Sequence, residues 1–174
     1  GDEVICPAYS FFATAGAIAR LGASPVFVDI EADSLNLNPE LAQEAVSRCQ
    51  RLRALLPVDI FGRIANIEKF TRLGDEIGVP VIEDAAQALG ALDEDAMAAG
   101  TRARMGCISF YPTKNLGALG EAGVILTSDA ETASRLRALR SHGQTHPNHF
   151  SELGFNSRLD ALQAAILRVK LRRL

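Results

Sequence analysis

The stretch ANIEKFTRLGDEIGVPVIEDAA (65–86) decides the fold. Ile67, Phe70, Leu73 and Ile77 recur at helical spacing and share one face, and Gly78 is a stop signal. The next residues, VPVIED, run apolar without polar alternation, the mark of a strand buried on both sides. The same alternation extends outward in both directions. DEVICP (2–7) reads as a short strand, and Ser10 or Thr14 opens a small-residue helix that stops near Gly22. PVFVDI (25–30) is a second strand, and Asn38-Pro39 caps a helix carrying Leu41, Ala45, Val46 and Cys49. RALLPVDI (53–60) is a strand broken or ended by Pro57. GCISFY (106–111) and GVILTS (123–128) add two more, with helices over 129–141 and 157–173. The polar stretch 142–155, with three His and one Pro, reads as a loop with little packing. Apolar strands alternating with helices predict an α/β fold, a mostly parallel sheet sandwiched by helices. Ligands of such sheets sit at the carboxyl ends of the strands.

With 174 residues and 48% hydrophobic content, the chain can bury one sizeable core. A net charge of −3 gives no electrostatic reason to expect nucleic acid or an anionic membrane as partner. The basic run Lys170, Arg172, Arg173 ends an amphipathic pattern and reads as a solvated helix face. No apolar run reaches the length of a membrane span, and GDEVICP lacks the basic start of a signal peptide. Cys6, Cys49 and Cys107 are far apart, and Cys6 and Cys107 lie in apolar runs as small hydrophobes. This fits a reduced, cytoplasmic protein. No Cys/His cluster has metal-ligand spacing. The chain begins two residues before a strand and ends inside a helical pattern, which reads as the central part of a longer protein.

Two segments carry chemistry: VIEDAAQALGA (81–91) and SFYPTKNLGALGEAG (109–123). Asp84 sits just past a buried strand, and Lys114 sits in a turn rich in Gly, Pro and Asn. A strand-end acid and a loop lysine are what pyridoxal phosphate (PLP) chemistry needs: the acid holds the pyridine nitrogen protonated, and the lysine carries the aldehyde. A solvated loop lysine and a helix cap at Asp84 are the bland alternatives. Glu83 competes with Asp84 but points to the opposite strand face. Gln87, one helical turn beyond Asp84, could bond the cofactor's phenolic oxygen. Ser109 suits a phosphate contact, and Phe11 could stack on the ring, although a turn Ser and a core Phe are the ordinary readings.

Together with PAYSFFATAGAIARLGASPVFVDI (7–30), PVDIFG (57–62) and GFNSRLDALQAAILRVKLRRL (154–174), these segments resemble the DegT/DnrJ/EryC1/StrS family of PLP-dependent sugar aminotransferases. The resemblance implies the large PLP-binding domain of a fold type I aminotransferase, truncated at both ends, with the N-terminal segment and the C-terminal small domain absent. It implies transfer of an amino group, from glutamate, to a nucleotide-linked keto sugar, as in polysaccharide biosynthesis. Lys114 is then the lysine that binds PLP, Asp84 the pyridinium partner and Gln87 the neighbour of the ring hydroxyl. Ser109 matches the family's phosphate-binding serine, and Phe11 the flat side chain over the ring. Asn156 matches a position that reaches the phosphate of the neighbouring subunit, which implies a homodimer with shared active sites. Lys114 places the chain with the transaminases rather than with the histidine-bearing sugar dehydratases. Ala122 stands where the family has a glycine that a positive φ could require. The stretch 92–105 matches no family signature.

Three other functions remain open from the residues: a PLP enzyme acting on amino acids, a non-catalytic relative acting as a binding or regulatory module, and a broken gene product. A nicotinamide dehydrogenase is disfavoured because no GxGxxG follows the first strand.

Overall fold

The computed structural model describes residues 1–174 and divides them into two compact units, Gly1–Ser109 with Val124–Leu126, and Phe110–Gly123 with Thr127–Leu174.

The first unit holds β1 (Glu3–Pro7), α1 (Phe12–Arg20), β2 (Ser24–Val28), α2 (Pro39–Val46), β3 (Leu52–Leu55), α3 (Ile67–Ile77), β4 (Ile82–Asp84), β5 (Met105–Ser109) and most of β6 (Gly123–Leu126). The strands run in the orders β2-β1-β3 and β4-β5-β6. Parallel bridges Leu55–Val81 and Val58–Asp84 tie the two groups together. β1 is parallel to β2 and β3, and β4 is parallel to β5, as the apolar strands predict. Ile5, Val28 and Leu55 pack against Ala42 and Ala45 of α2 and Phe70 and Leu73 of α3. Removing a side chain such as Phe70 from water stabilises by about 2–3 kcal/mol. α1 packs on β1 and β2 without joining that cluster.

Local signals set these elements. Asn38 accepts the Leu41 N–H and is followed by Pro39, so α2 starts there. Asn66 accepts the Lys69 N–H at the start of α3, and Gly78, at φ 72°, ends it in the left-handed conformation.

Two expectations fail in this unit. No helix follows Asp84: residues 85–91 form successive turns, with Ala88 N–H on the Ala85 carbonyl and Ala91 N–H on the Ala88 carbonyl. Helix-favouring Ala, Gln and Leu are overridden because Gln87 is engaged by a distant loop. Neither Ser10 nor Thr14 caps α1. The N-cap is Phe11, without a side-chain hydrogen bond, and both hydroxyls are used elsewhere. The unassigned 92–105 stretch is a set of turns and bends leading into β5. Leu92 and Ala98 form an antiparallel bridge, Asp93 accepts the Asp95 and Met97 N–H groups, and Arg102 bridges Asp93 and Asp95.

The second unit contains the lysine loop, α4 (Ala130–Leu139), β7 (Gln144–His146), β8 (His149–Phe150) and α5 (Ala161–Leu171). The expected 142–155 loop therefore includes an antiparallel ladder between β7 and β8. Pro147 and Asn148 make its reversal, with Asn148 at φ 61°. α5 leaves Leu162, Val169 and Leu171 exposed.

Candidate functional site

Asp84 ends β4, one residue after Glu83, and the strand alternation separates them. Asp84 lies opposite Cys107 in the parallel register, and Glu83 lies opposite Gly106. Asp84, Cys107 and Ser109 therefore share one face at the carboxyl end of the sheet, with Ser109 at the last position of β5. Glu83 faces the other way, as expected. It is almost fully buried, and its Oε1 accepts the Gly100 N–H at 2.6 Å.

The Asp84 carboxylate is held at both oxygens. Thr14 Oγ1 donates to Oδ2 at 3.0 Å, and the Ala86 N–H donates to Oδ1 at 3.2 Å. Thr14 is itself 5% exposed, and its hydroxyl lies 2.9 Å from that of Ser10. Phe11 precedes Thr14 by one helical turn, and the Thr14 N–H bonds the Phe11 carbonyl. Phe11 is 72% exposed, which places it outside the core and accessible to a ligand. The Cys107 thiol on this face is pushed up to about 11 by burial, reinforced by the charges of Asp84 and Glu83, so it stays neutral beside the acid.

Gln87 is fixed by the 59–62 loop. The Phe61 N–H donates to Gln87 Oε1 at 2.7 Å, which leaves the Nε2 end as the available donor. Phe61 adopts φ 54°, costly for a bulky residue at about 1–3 kcal/mol, and its ring lies 6.3 Å from that of Tyr9.

Lys114 lies in the second unit, in a loop closed by Phe110 N–H on the Ala122 carbonyl and Ala118 N–H on the Phe110 carbonyl. The loop needs glycine through close approach. A Cβ at Gly117 would lie 2.3 Å from the Pro112 carbonyl oxygen. Ala122 is not at positive φ, so its replacement of a glycine places no strain on the loop. α5 braces the loop from its own unit. Gln163 Oε1 accepts the Leu119 N–H at 2.8 Å, and the Lys170 ammonium donates to the Gly117 carbonyl. Lys170 is thus part of the loop's support rather than a freely solvated charge. Lys69 pairs with Glu40, so of the three lysines Lys114, half-buried, is the one whose amine is not committed to a protein oxygen.

Asn156 is exposed in the second unit, bridged to Ser141 through its backbone, and its Oδ1 accepts from Arg158 Nε at 3.0 Å. Thr14 and the Phe61 N–H were not foreseen from the sequence. Their partners lie 70 and 26 residues away, and no local pattern marks such contacts. A polar groove of about 680 Å³ in the first unit is lined by Asn36, Phe61, Arg63, Asp93 and Arg102 among others, and by none of the candidate residues.

The family model of the DegT/DnrJ/EryC1/StrS aminotransferases matches residues 1–174. The chain belongs to this family. Within it, the chain is 46% identical over 98% of its length to the pleiotropic regulatory protein of Geobacillus stearothermophilus, covering 45% of that protein. It is 43% identical over 98% of its length to the UDP-2-acetamido-2-deoxy-3-oxo-D-glucuronate aminotransferase of Pseudomonas aeruginosa, covering 47% of that enzyme. A DegT/DnrJ/EryC1/StrS aminotransferase structure from Brucella abortus superposes with TM-score 0.94 at 39% identity, over 99% of this chain and 48% of that one. A Bacillus subtilis structure with bound cofactor PMP superposes with TM-score 0.87 at 35% identity, over 96% of this chain and 38% of that one. The DegT/DnrJ/EryC1/StrS chain thus has the α/β architecture of the fold type I aminotransferases and spans about half the length of the curated relatives it matches.

Proposed function

We propose that the intact protein is a PLP-dependent aminotransferase that moves an amino group from glutamate to a nucleotide-linked keto sugar, with residues 1–174 forming part of its large domain. The observation that carries this reading is the Asp84 carboxylate, fixed at both oxygens at the carboxyl end of a parallel sheet. Those residues fit PLP. An oriented acid suits the pyridine nitrogen, an exposed aromatic suits the ring, and a hydroxyl on the same sheet face suits the phosphate. When bound, PLP supplies an electron sink for the carbon that exchanges its amino group.

The chain's own side chains supply the rest. Asp84, oriented by donors at both of its oxygens, presents a carboxylate that would keep a proton on the ring nitrogen. Phe11 gives the ring a flat apolar surface, Gln87 offers its Nε2 donor to the phenolic oxygen, and Ser109 offers its hydroxyl to the phosphate. Lys114 provides the amine that binds the aldehyde and then carries protons at the reacting carbon. Asn156 reaches the phosphate of a second subunit in a homodimer. Exposed Leu153, Phe155 and Leu162 in the same unit support a covered face there. Three unpaired cysteines support a cytoplasmic setting. No helix is long and apolar enough to cross a membrane.

A second reading, a regulator that does not catalyse, is favoured by the name of the 46%-identical relative. Incubating the intact protein with PLP, glutamate and a nucleotide-linked keto sugar separates the two. Mass spectrometry of the sugar should show the oxo group exchanged for an amine. Tight PLP binding with no exchange across a panel of such sugars would favour the regulator.

A further inference from the structure

Behind Asp84 lies a second pair of acids that the proposed chemistry does not use. Asp59 is 0% and Glu83 is 1% exposed. Each has one committed oxygen: Asp59 Oδ1 accepts the Ala65 N–H at 2.9 Å, and Glu83 Oε1 accepts the Gly100 N–H. Each also has one buried oxygen without a partner, Asp59 Oδ2 and Glu83 Oε2. Two buried carboxylates, each with an orphaned oxygen, are costly as a pair of anions, whereas one proton between them satisfies both. The charged and titratable groups facing Asp59 are Glu83 and Asp84, with Asp84 backed by the neutral thiol of Cys107 on β5. No cation offsets them. Arg63, on the same loop as Asp59, directs its guanidinium to the Asp33 carbonyl. Burial, with the Glu83 and Asp84 charges added, pushes the Asp59 carboxyl up to about 8 despite the opposing Ala65 N–H.

We infer that Asp59 and Glu83 share a single proton, with Asp59 as the acid, and that this proton locks the backbone that carries Asp84 and Gln87. The Asp59 N–H donates to the Asp84 carbonyl at 3.0 Å, and the Asp84 N–H donates to the Pro57 carbonyl at 2.9 Å. Two residues further on, the Phe61 N–H holds Gln87. Glu83 fastens the 100 loop, where a Cβ at Gly106 would come within 2.0 Å of the Gly100 carbonyl oxygen. The pair therefore joins three segments behind the candidate site. Losing the proton sets two anions against each other at that joint and loosens it. Asp59 and Glu83 are positioning residues in this account, and only their bearing on the cofactor rests on the proposed function.

The test uses the intact protein without added cofactor, so its outcome is independent of PLP. Infrared spectra at pH 7 should contain a carboxylic-acid carbonyl stretch that shifts in heavy water, absent in Asp59→Asn. The asparagine amide replaces the acid as donor to Glu83 and keeps the Ala65 contact, so this variant should fold normally. At pH 9, hydrogen exchange of peptides covering 59–65 and 82–88 should be several-fold slower in Asp59→Asn than in wild type, and equal at pH 6. No acid band at pH 7, or equal exchange at both pH values in the folded variant, would overturn the inference. A protein that passes both tests and binds no PLP would refute the proposed function alone.

Discussion

Replacing Thr14 by Val removes one hydroxyl from the interior and leaves the shape almost unchanged. Thr14 is 5% exposed, and its Oγ1 donates at 3.0 Å to an oxygen of Asp84. A hydrogen bond to a charged group contributes about 1.5–3 kcal/mol. Asp84 is only half-buried, so the lower end applies, about 1.5 kcal/mol. Without that donor the carboxylate is no longer fixed in orientation, and its hold on the ring nitrogen weakens by about that amount. The expected result is a PLP dissociation constant raised roughly tenfold. Absorbance titration of the apo protein measures it, with urea unfolding as a control for stability. Thr14→Ser retains the donor and should bind within about twofold of wild type, a difference of about 0.4 kcal/mol. Wild-type affinity in Thr14→Val, or equal losses in the Val and Ser variants, would refute the role assigned to the hydroxyl.

Three further outcomes follow from the same geometry. Gly117→Ala should disrupt the lysine loop, since a Cβ would lie 2.3 Å from the Pro112 carbonyl oxygen; retained PLP binding in a folded variant would contradict this. Thiol labelling of the native protein at pH 7.5, followed by peptide mass spectrometry, should modify Cys49 first, because burial raises the Cys6 and Cys107 thiols to about 11. Stability should fall as pH rises between about 4 and 8: the folded chain keeps the Asp59 proton up to about 8, whereas the unfolded chain releases it near pH 4, roughly the free Asp value. Urea midpoints should follow that slope, at most about 1.4 kcal/mol per pH unit, and Asp59→Asn should flatten it.

What the sequence made legible was local. The Ile67, Phe70, Leu73 and Ile77 face, the Gly78 stop and the Asn38-Pro39 start all act within a few residues, and each stands where the pattern placed it. Asp84 at a strand end with Glu83 on the opposite face follows from alternation alone. The failures came where distant groups outbid local preference. AAQALG favours helix, but the Phe61 N–H claims Gln87 and the chain turns instead. Thr14 reads as a helix opener until its partner, 70 residues on, is known. The β7–β8 ladder had a legible signal in Pro147-Asn148, which suits the central positions of a turn, but three histidines masked it as polar loop. The Asp59–Glu83 pair left a trace as well, an acid within each of two apolar runs, PVDI and VIED.

The most direct test of the account is to identify the lysine that PLP modifies. The intact protein, loaded with PLP, reduced with borohydride and digested, should carry the pyridoxyl mass on the peptide containing Lys114, with Lys69 and Lys170 unlabelled. A label on either of those lysines, or none on Lys114 at saturating PLP, would contradict the central claim.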